Sequence, residues 1–258
     1  MRIQLLPSTF DEDGAASPGQ HLTCFVINDN VAIDAGSLGM AANDRQRKQV
    51  RDIVLSHAHL DHIAGLPLFI DDLFATLESP IRIHASVEII DALETSIFNW
   101  SVYPKFSELD NAHGKVLEYV AFEPNTPFAL RGLEITPFSV NHKVPSFGFI
   151  VSDTRSKILI TGDTAEMDDL LETVEQAGDL DAILIECAFP NEMAELAEIS
   201  HHLTPARLAN QLKELRPGSC RIYCVNLKPM YRDRIISQLA DLDVPDLSVF
   251  EVGRAYDL

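Results

Sequence analysis

The segment from His57 to His62, which reads His-Ala-His-Leu-Asp-His, constrains this chain more than any other feature. It follows a strand-like apolar segment, Asp52–Ser56, and precedes a helix-like segment, Ile63–Leu77. In α/β sheets, functional groups are usually carried at the end of a strand and in the loop after it. Three imidazoles and one carboxylate can therefore converge here. Imidazole and carboxylate ligands together suit zinc, iron or manganese better than magnesium or calcium. The segment therefore predicts a metal site.

Short apolar segments of strand type recur along the 258 residues. They form antiparallel-looking groups early in the chain and alternate with helix-like segments later. Two sheets packed face to face, with helices on the outside, would accommodate these strands and helices. No linker, repeat or low-complexity tract divides the sequence. We therefore predict one domain over residues 1–258, of the α/β (α+β) class.

The net charge of −19, from 39 acidic and 20 basic residues, narrows the choice of partners. A field of this sign repels nucleic acid and anionic membranes, whereas a small anion can still bind beside divalent cations. No apolar run reaches the roughly 18–20 residues that cross a bilayer. Residues 1–10 also lack the basic and apolar regions of a signal peptide. We expect a cytoplasmic protein that binds neither nucleic acid nor a membrane.

Three further motifs accompany the histidine-rich segment: Asp34-Ala35-Gly36, Asn141-His142 and Thr161-Gly162-Asp163. With that segment they resemble the metallo-β-lactamase superfamily over nearly the whole chain. The resemblance implies a four-layered αββα sandwich and two divalent metal ions, with zinc expected and manganese or iron as alternatives. It implies these ligands: for one ion His57, His59 and His142, and for the other Asp61, His62 and a shared Asp163.

Other segments narrow the resemblance to class II 3′,5′-cyclic-nucleotide phosphodiesterases. The histidine-rich segment continues as Ile-Ala-Gly-Leu-Pro, and the remaining matches are Val144-Pro145-Ser146-Phe147-Gly148, Ile185-Glu186-Cys187, His201-His202-Leu203-Thr204-Pro205 and Leu227-Lys228-Pro229. The resemblance implies hydrolysis of cAMP or cGMP, a small-molecule substrate, to the 5′-nucleotide by a metal-activated hydroxide. It also implies a tendency toward homodimers. Ser37 and Ser146 are candidates for contacting the phosphate, although a serine in a loop is usually a turn former.

Several of these motifs are shared with the tRNA 3′-end processing endonucleases. In that group a glutamate after a strand and a later histidine assist proton transfer to the leaving oxygen, and Glu186 and His202 match them. The resemblance thus implies that His202, oriented by Glu186, protonates the departing ribose 3′ oxygen. The catalytic set would be Asp61, Glu186 and His202. In the alternative interpretation, Glu186 is a capping carboxylate or one that only supports the ligands.

Asn226 is a departure from the pattern, because the relatives carry a histidine there as the last ligand of the second metal ion. An amide oxygen is neutral and binds zinc more weakly than imidazole does. Three outcomes are open: Asn226 ligates a harder ion such as manganese, the second site is weak, or His202 takes the vacant place. We expect the second ion to bind less tightly than the first.

Three alternatives to a cyclic-nucleotide phosphodiesterase remain. A tRNA-processing endonuclease is disfavoured by the acidic charge and by the 20 residues between His142 and Asp163, where those enzymes usually insert a tRNA-gripping arm. Other hydrolases of the superfamily share the metal motif, but membership of those groups would not explain the presence of both Glu186 and His202. A non-catalytic relative that binds metal or nucleotide would have lost turnover through the change at Asn226.

Overall fold

The computed structural model describes residues 1–213 and 220–258, and in these ranges 16 strands and nine α-helices form. The strands are β1 (Arg2–Leu5), β2 (Phe25–Ile27), β3 (Val31–Ile33), β4 (Asp52–Val54), β5 (Ile81–Ala85), β6 (Asp110–Asn111), β7 (Gly114–Lys115), β8 (Leu117–Ala121), β9 (Phe128–Leu130), β10 (Leu133–Ser139), β11 (Phe147–Ser152), β12 (Lys157–Ile160), β13 (Ala182–Glu186), β14 (Arg221–Val225), β15 (Leu247–Val249) and β16 (Ala255–Asp257). The α-helices are α1 (Leu38–Ala41), α2 (Asp44–Gln49), α3 (Leu60–Ile63), α4 (Gly65–Leu73), α5 (Val87–Ser96), α6 (Leu170–Ala177), α7 (Ala194–Ser200), α8 (Pro205–Leu212) and α9 (Arg232–Ala240).

Two seven-stranded sheets form the body of the fold. The first has the order β16-β1-β2-β3-β4-β5-β8 and the second the order β15-β14-β13-β12-β11-β10-β9. In both sheets an antiparallel part continues into a parallel part, which comprises β3-β4-β5-β8 in the first and β12-β13-β14-β15 in the second. The sequence pattern predicted parallel pairing only late in the chain. The early helices α1 to α5 lie between consecutive strands of the first sheet and serve as its crossover connections.

The central strands of the second sheet are buried on both faces, and their side chains alternate between two hydrophobic clusters. Ile158, Ile160 and Leu184 belong to the cluster that also contains the first sheet. Leu159, Ile183 and Ile185 belong to the cluster that also contains residues of α6, α8 and α9. Because successive strand residues point to opposite faces, one sheet separates the two clusters. Helices also pack on the outside of the first sheet, so the predicted αββα sandwich is confirmed.

The helix after the histidine-rich segment differs from the predicted Ile63–Leu77. It begins earlier, as α3 at Leu60, is interrupted at Ala64, and continues as α4 to Leu73 before a short 3₁₀ turn over Phe74–Thr76. Pro67 explains the interruption, because it has no N–H to bond the carbonyl four residues earlier. The earlier start places Asp61 and the last histidine of the segment on a first helical turn rather than in a loop.

None of the helices in the described ranges is long and apolar enough to cross a bilayer. The longest of them, α5, has 10 residues. A membrane-spanning helix needs about 20.

A buried ion cluster fixes the start of β4. Asp52 has no exposed surface and accepts hydrogen bonds from Arg82 Nε and Nη2 at 2.6 Å, from Arg131 Nε at 2.7 Å and from His84 Nε2 at 3.0 Å. Burial alone would raise the pKa of Asp52, but the hydrogen bonds from His84, Arg82 and Arg131 hold it well below its usual range. The ionised carboxylate therefore stabilises the folded state.

Replacing Asp52 with asparagine should lower the free energy of unfolding at pH 7 by about 3 kcal/mol. This is the low end of the cost of breaking a buried ion pair, because both guanidinium groups keep some contact with water. The pKa of Asp52 is lower in the folded than in the unfolded state, so its contribution is complete above about pH 4 and is lost as the pH falls further. Urea denaturation at pH 7 and at about pH 2.5 measures the effect, with exposed Asp110→Asn as the control. Equal stability of the two variants at pH 7 would contradict it.

Candidate metal centre

The histidine-rich segment lies where β4 ends and α3 begins. His57 is fully buried beyond the strand, and His59 is the residue immediately before the helix. Two backbone hydrogen bonds hold the helix start, from Thr23 N to Asp61 O and from Ala35 N to His62 O, both 2.7 Å. At Gly36 a Cβ would lie 2.0 Å from the carbonyl oxygen of Asp61, so only glycine allows this close approach.

The other candidate ligands follow strands of the second sheet. His142 comes after β10, Asp163 after β12 and Asn226 after β14. These three strands run in the same direction, since β11 is antiparallel to both β10 and β12, and β12 to β14 are parallel. Their carboxyl ends therefore lie on one edge of the sheet. That edge meets the end of β4 from the first sheet.

The structure brings six of the predicted site residues into three overlapping groups. Within each group, one potential ligand atom from every residue lies within 4.8 Å of the others; the groups are His57, His59 and His142; His57, His62 and Asp163; and His142, Asp163 and His202. His57, His142 and Asp163 each belong to two groups, so the three share one centre. The first group is the ligand set predicted for the first metal ion.

The donor atoms of this centre fit a divalent cation. His57 Nε2 is buried and, among the described residues, has no hydrogen-bond partner, while His62 Nε2 lies 3.3 Å from Asp163 Oδ1. Buried polar atoms are nearly always satisfied, so an orphaned imidazole nitrogen among several potential ligands calls for an external partner. Burial, and then the neighbouring His62, hold the pKa of His57 well below its usual range. A neutral imidazole is the form that binds metal.

A layer of hydrogen bonds orients the ligands from behind. Asp34 Oδ2 accepts from His62 Nδ1 at 2.7 Å, and Ser56 Oγ lies 3.0 Å from His57 Nδ1 and donates to Asp34 Oδ2 at 2.8 Å. His142 Nδ1 lies 3.0 Å from the carbonyl oxygen of His201. In each case the Nδ1 contact leaves Nε2 to face the centre, as is usual for metal-binding histidines. The sequence analysis did not predict a role for the His201 carbonyl.

Glu186 and His202 form a buried pair at the edge of the centre. Glu186 is fully buried and accepts from His202 Nδ1 at 2.7 Å and from the backbone N–H of Thr164 at 2.8 Å. His202 is 8% exposed, and its Nδ1 lies 4.0 Å from Asp163 Oδ2. Burial would lower the pKa of His202, but the Glu186 carboxylate raises it above its usual value. The pair therefore places an imidazole N–H beside the metal ligands.

Asp61 and Asn226 are placed differently from the other predicted ligands. Asp61 Oδ2 lies 3.3 Å from Lys228 Nζ, and Asp61 belongs to none of the three groups found in the described chain. The amide nitrogen of Asn226, not its oxygen, contacts Asp163 Oδ1 at 2.6 Å. Asp61 and Asn226, both predicted at the second metal ion, therefore have their polar atoms in contact with neighbouring side chains. Lys228 beside Asp61 was not anticipated as a site residue.

Replacing Asn226 with histidine should tighten binding of a second zinc ion by about 10–100-fold. Changes to residues around a metal site typically alter metal affinity by this factor. The variant trades an amide for a stronger zinc ligand, and histidine tolerates the left-handed backbone found at this position, where φ is 57°. Metal content after dialysis and titration calorimetry with zinc measure the change. Exposed Asn210→His controls for a histidine added elsewhere. An unchanged stoichiometry and affinity would contradict this prediction.

The two serines proposed for phosphate contact have other partners. Ser37 is fully buried and its hydroxyl donates to the carbonyl of Leu6 at 3.2 Å, which commits it to the core. Ser146 is 5% exposed and donates to the carbonyl of Val144 at 2.9 Å. We therefore leave both out of the phosphate contacts proposed below. The Ser146 hydrogen bond is local, as is common for a serine in a loop, whereas the Ser37 bond joins residues that are 31 positions apart.

Gln20 is a buried residue beside the centre that sequence reasoning missed. Its side-chain nitrogen donates to the carbonyls of Leu6 and Leu22, while its oxygen is buried without a partner among the described residues. Gln20 shares a cavity of about 10 Å³ with His62 and Asp163. A cavity of that size holds about one water molecule. No local sequence signal marks a lone glutamine in a loop.

A cluster of imidazoles and carboxylates at the joined edges of two sheets, covered by helices on both sides, defines a metallo-β-lactamase-fold hydrolase. The sequence confirms the class: the profile of the β-lactamase superfamily domain matches residues 29–221, and the chain belongs to this superfamily.

The individual relatives carry the names of two different kinds of enzyme, cyclic-nucleotide phosphodiesterases and tRNA-processing ribonucleases. A probable 3′,5′-cyclic-nucleotide phosphodiesterase of Yersinia pestis is 29% identical in an alignment of length 252 that covers 80% of this chain and 71% of that protein. The chloroplastic tRNase Z TRZ2 of Arabidopsis thaliana is 26% identical over 147 residues, 55% of this chain and 37% of the relative. The crystal structure of unliganded yeast PDE1 superposes with a TM-score of 0.76 at 17% identity, covering 98% of both chains.

Proposed function

We propose that the protein is a metal-dependent phosphodiesterase that hydrolyses 3′,5′-cyclic nucleotides to 5′-nucleotides. The observation that carries the proposal is the buried Glu186–His202 pair, with 2.7 Å between Oε1 and Nδ1, set against the metal-ligand cluster. A hydrolase that expels an alkoxide needs an acid at this place, whereas a metal site alone would serve many leaving groups. The similarity to the Yersinia pestis protein supports the substrate class.

Two divalent cations, zinc or else manganese or iron, are the proposed cofactors. His57, His59 and His142 would hold one of them, and His62 with Asp163 would hold the second, supported by Asp61 and Asn226. When bound, such cations make water nucleophilic near neutral pH and stabilise negative charge on phosphoryl oxygens. Lys228, beside Asp61, adds a fixed positive charge for an anionic substrate.

The chain's own residues carry the proton transfer. A water molecule loses one proton to solvent and its oxygen bonds to phosphorus, the bond from phosphorus to the ribose 3′ oxygen breaks, and His202 donates a proton to that oxygen. Glu186 accepts the hydrogen bond from His202 Nδ1, so it fixes the ring and leaves Nε2 as the donor. His202 then regains a proton from solvent. General acid catalysis of this type contributes about 10²–10⁴-fold to the rate.

A recess beside His59 is the proposed place for the nucleoside. It has a volume of about 260 Å³ and is lined by Ala58, His59, Glu88, Ile89, Ala92, Val144 and Pro145. Mostly apolar walls with few polar groups are typical of small-molecule sites.

The endonuclease alternative is less compatible with this fold. Between His142 and Asp163 the chain forms only β11, β12 and the turn that joins them. The net charge of −19 also opposes a polyanionic substrate. We therefore propose a small-molecule substrate and no nucleic-acid partner.

Hydrolysis of 3′,5′-cAMP in ¹⁸O-labelled water tests the proposed bond cleavage. Metal-loaded protein should yield 5′-AMP with the label on its phosphate. A 3′-monophosphate, or label on the sugar, would refute the assignment of the 3′ oxygen as leaving group. Cleavage of a precursor tRNA with no turnover of cyclic nucleotide would favour the endonuclease.

A further inference from the structure

A second cavity lies at the opposite end of β4 from the metal centre. Its volume is about 1020 Å³, and it is lined by Asn28, Asn30, Asp44, Arg45, Arg47, Lys48, Gln49, Arg51, Leu73, Thr76, Glu78, Ser79 and Arg131. From Asp52 at the start of β4 to His57 the chain advances about 16 Å, at 3.3 Å per residue of strand. The cavity is therefore separate from the proposed active site.

The lining is cationic in a protein that is otherwise strongly acidic. Five of its side chains are basic and two, Asp44 and Glu78, are acidic, whereas the whole chain has 39 acidic and 20 basic residues. Four of the five basic residues come from one short stretch, residues 45–51, which contains α2 and the turn into β4. This concentration gives a local field opposite to that of the whole protein.

Three of the five basic side chains have carboxylate partners. Arg45 lies 3.4 Å from Asp29, Arg47 lies 3.0 Å from Asp72 and Arg131 lies 2.7 Å from Asp52. Fixed partners hold these guanidinium groups in place around the cavity. These carboxylates compensate their charge in part, since Asp52 is shared with Arg82 and Asp29 with Arg2.

Lys48 and Arg51 are the unbalanced charges. In the described parts of the chain, neither has a carboxylate oxygen within the 4.0 Å that defines the ion pairs above. Arg51 Nη1 donates only to the backbone carbonyls of Arg47 and Val50. Burial, and then the like charge of Arg131, lower the pKa of Arg51, which Glu78 offsets only in part. Like charges therefore converge here, and Glu78 compensates them only in part.

Asn30 adds a second kind of recognition. Its side-chain oxygen is buried and has no hydrogen-bond donor among the described residues. A buried acceptor without a donor is costly, so a ligand hydroxyl or a water molecule is needed to satisfy it.

We propose that this cavity binds a phosphorylated small molecule that carries at least one hydroxyl group. Lys48 and Arg51 contact the phosphate, and Asn30 accepts a hydrogen bond from the hydroxyl. The volume suits a small molecule, since ligand pockets usually measure about 300–1,000 Å³. The site does not depend on the metal ions or on the reaction proposed above.

Titration calorimetry of the metal-loaded protein with glucose 6-phosphate tests the proposal, with glucose as the uncharged control. Binding of the phosphate should weaken at least about tenfold in Lys48→Gln/Arg51→Gln, because two charge-assisted contacts are lost. Lys115→Gln/Arg155→Gln removes the same charge from exposed positions elsewhere and should bind like the wild type. The single variant Lys48→Gln serves if loss of the Arg51 backbone hydrogen bonds unfolds the double variant.

The variant Asp163→Ala separates this cavity from the metal centre. Undiminished binding in Asp163→Ala, together with weakened binding in the cavity variants, would establish the site. Absence of binding to the wild type would overturn the proposal, as would equal binding by the cavity variants and the control. Loss of binding in Asp163→Ala alone would also overturn it, because the phosphate would then occupy the metal centre.

Discussion

Replacing Asp163 with alanine should reduce hydrolysis of a cyclic nucleotide by at least about 10³-fold. Loss of an outer partner of a metal ligand already costs about 10–100-fold in metal affinity or activity, and Asp163 is a candidate ligand itself. Its buried carboxylate belongs to two of the three ligand groups and lies 3.3 Å from His62 Nε2. The metal content of the purified variant should fall together with its rate.

The control for this experiment is Asp168→Ala, an exposed aspartate nearby in sequence. Asp163→Asn serves as a second variant, because it keeps the shape of the side chain beside Asn226. Thermal unfolding of both variants shows whether the fold survives. Retention of more than a tenth of the wild-type rate by a folded Asp163→Ala protein would contradict its assignment as a ligand.

Replacing His202 with alanine should lower kcat for cAMP or cGMP by about 10²–10⁴-fold, the usual contribution of a general acid. The leaving ribose oxygen is strongly basic and needs a proton. Bis(4-nitrophenyl) phosphate has a leaving group that departs without one, so its hydrolysis should change little. Metal content should also stay unchanged, which separates proton donation from metal ligation.

The matched control is His113→Ala, which removes an exposed histidine. Glu186→Gln should give a smaller loss, because it weakens the orientation of His202 but keeps the imidazole. Nearly full turnover of cAMP by His202→Ala would exclude the acid role. Equal losses on both substrates, with reduced metal content, would instead make His202 a ligand, as its group with His142 and Asp163 allows.

The fold and the core of the centre could be predicted because their signals are local or belong to recognisable motifs. His57, His59 and His62 lie within six consecutive residues, and a strand ends just before them. His142 and Asp163 each follow a strand whose apolar pattern is clear, so the ends of those strands could be located.

The other parts of the centre depend on contacts between residues far apart in the sequence. Asp61 and Lys228 are 167 residues apart, and their ion pair follows from how the two sheets meet. Whether Asn226 offers its nitrogen or its oxygen depends on side-chain packing against Asp163. The hydroxyl of Ser37 is taken by a carbonyl of a neighbouring segment. Residue identity alone does not determine such choices.

The most direct test of the proposed function is the rate of hydrolysis of 3′,5′-cAMP and cGMP by protein of measured metal content. Zinc, manganese and iron should be supplied in turn, and Asp163→Ala should be assayed beside the wild type. The proposal predicts formation of the 5′-monophosphate that requires metal and disappears in the variant. No turnover of either nucleotide with the metal sites filled would contradict it.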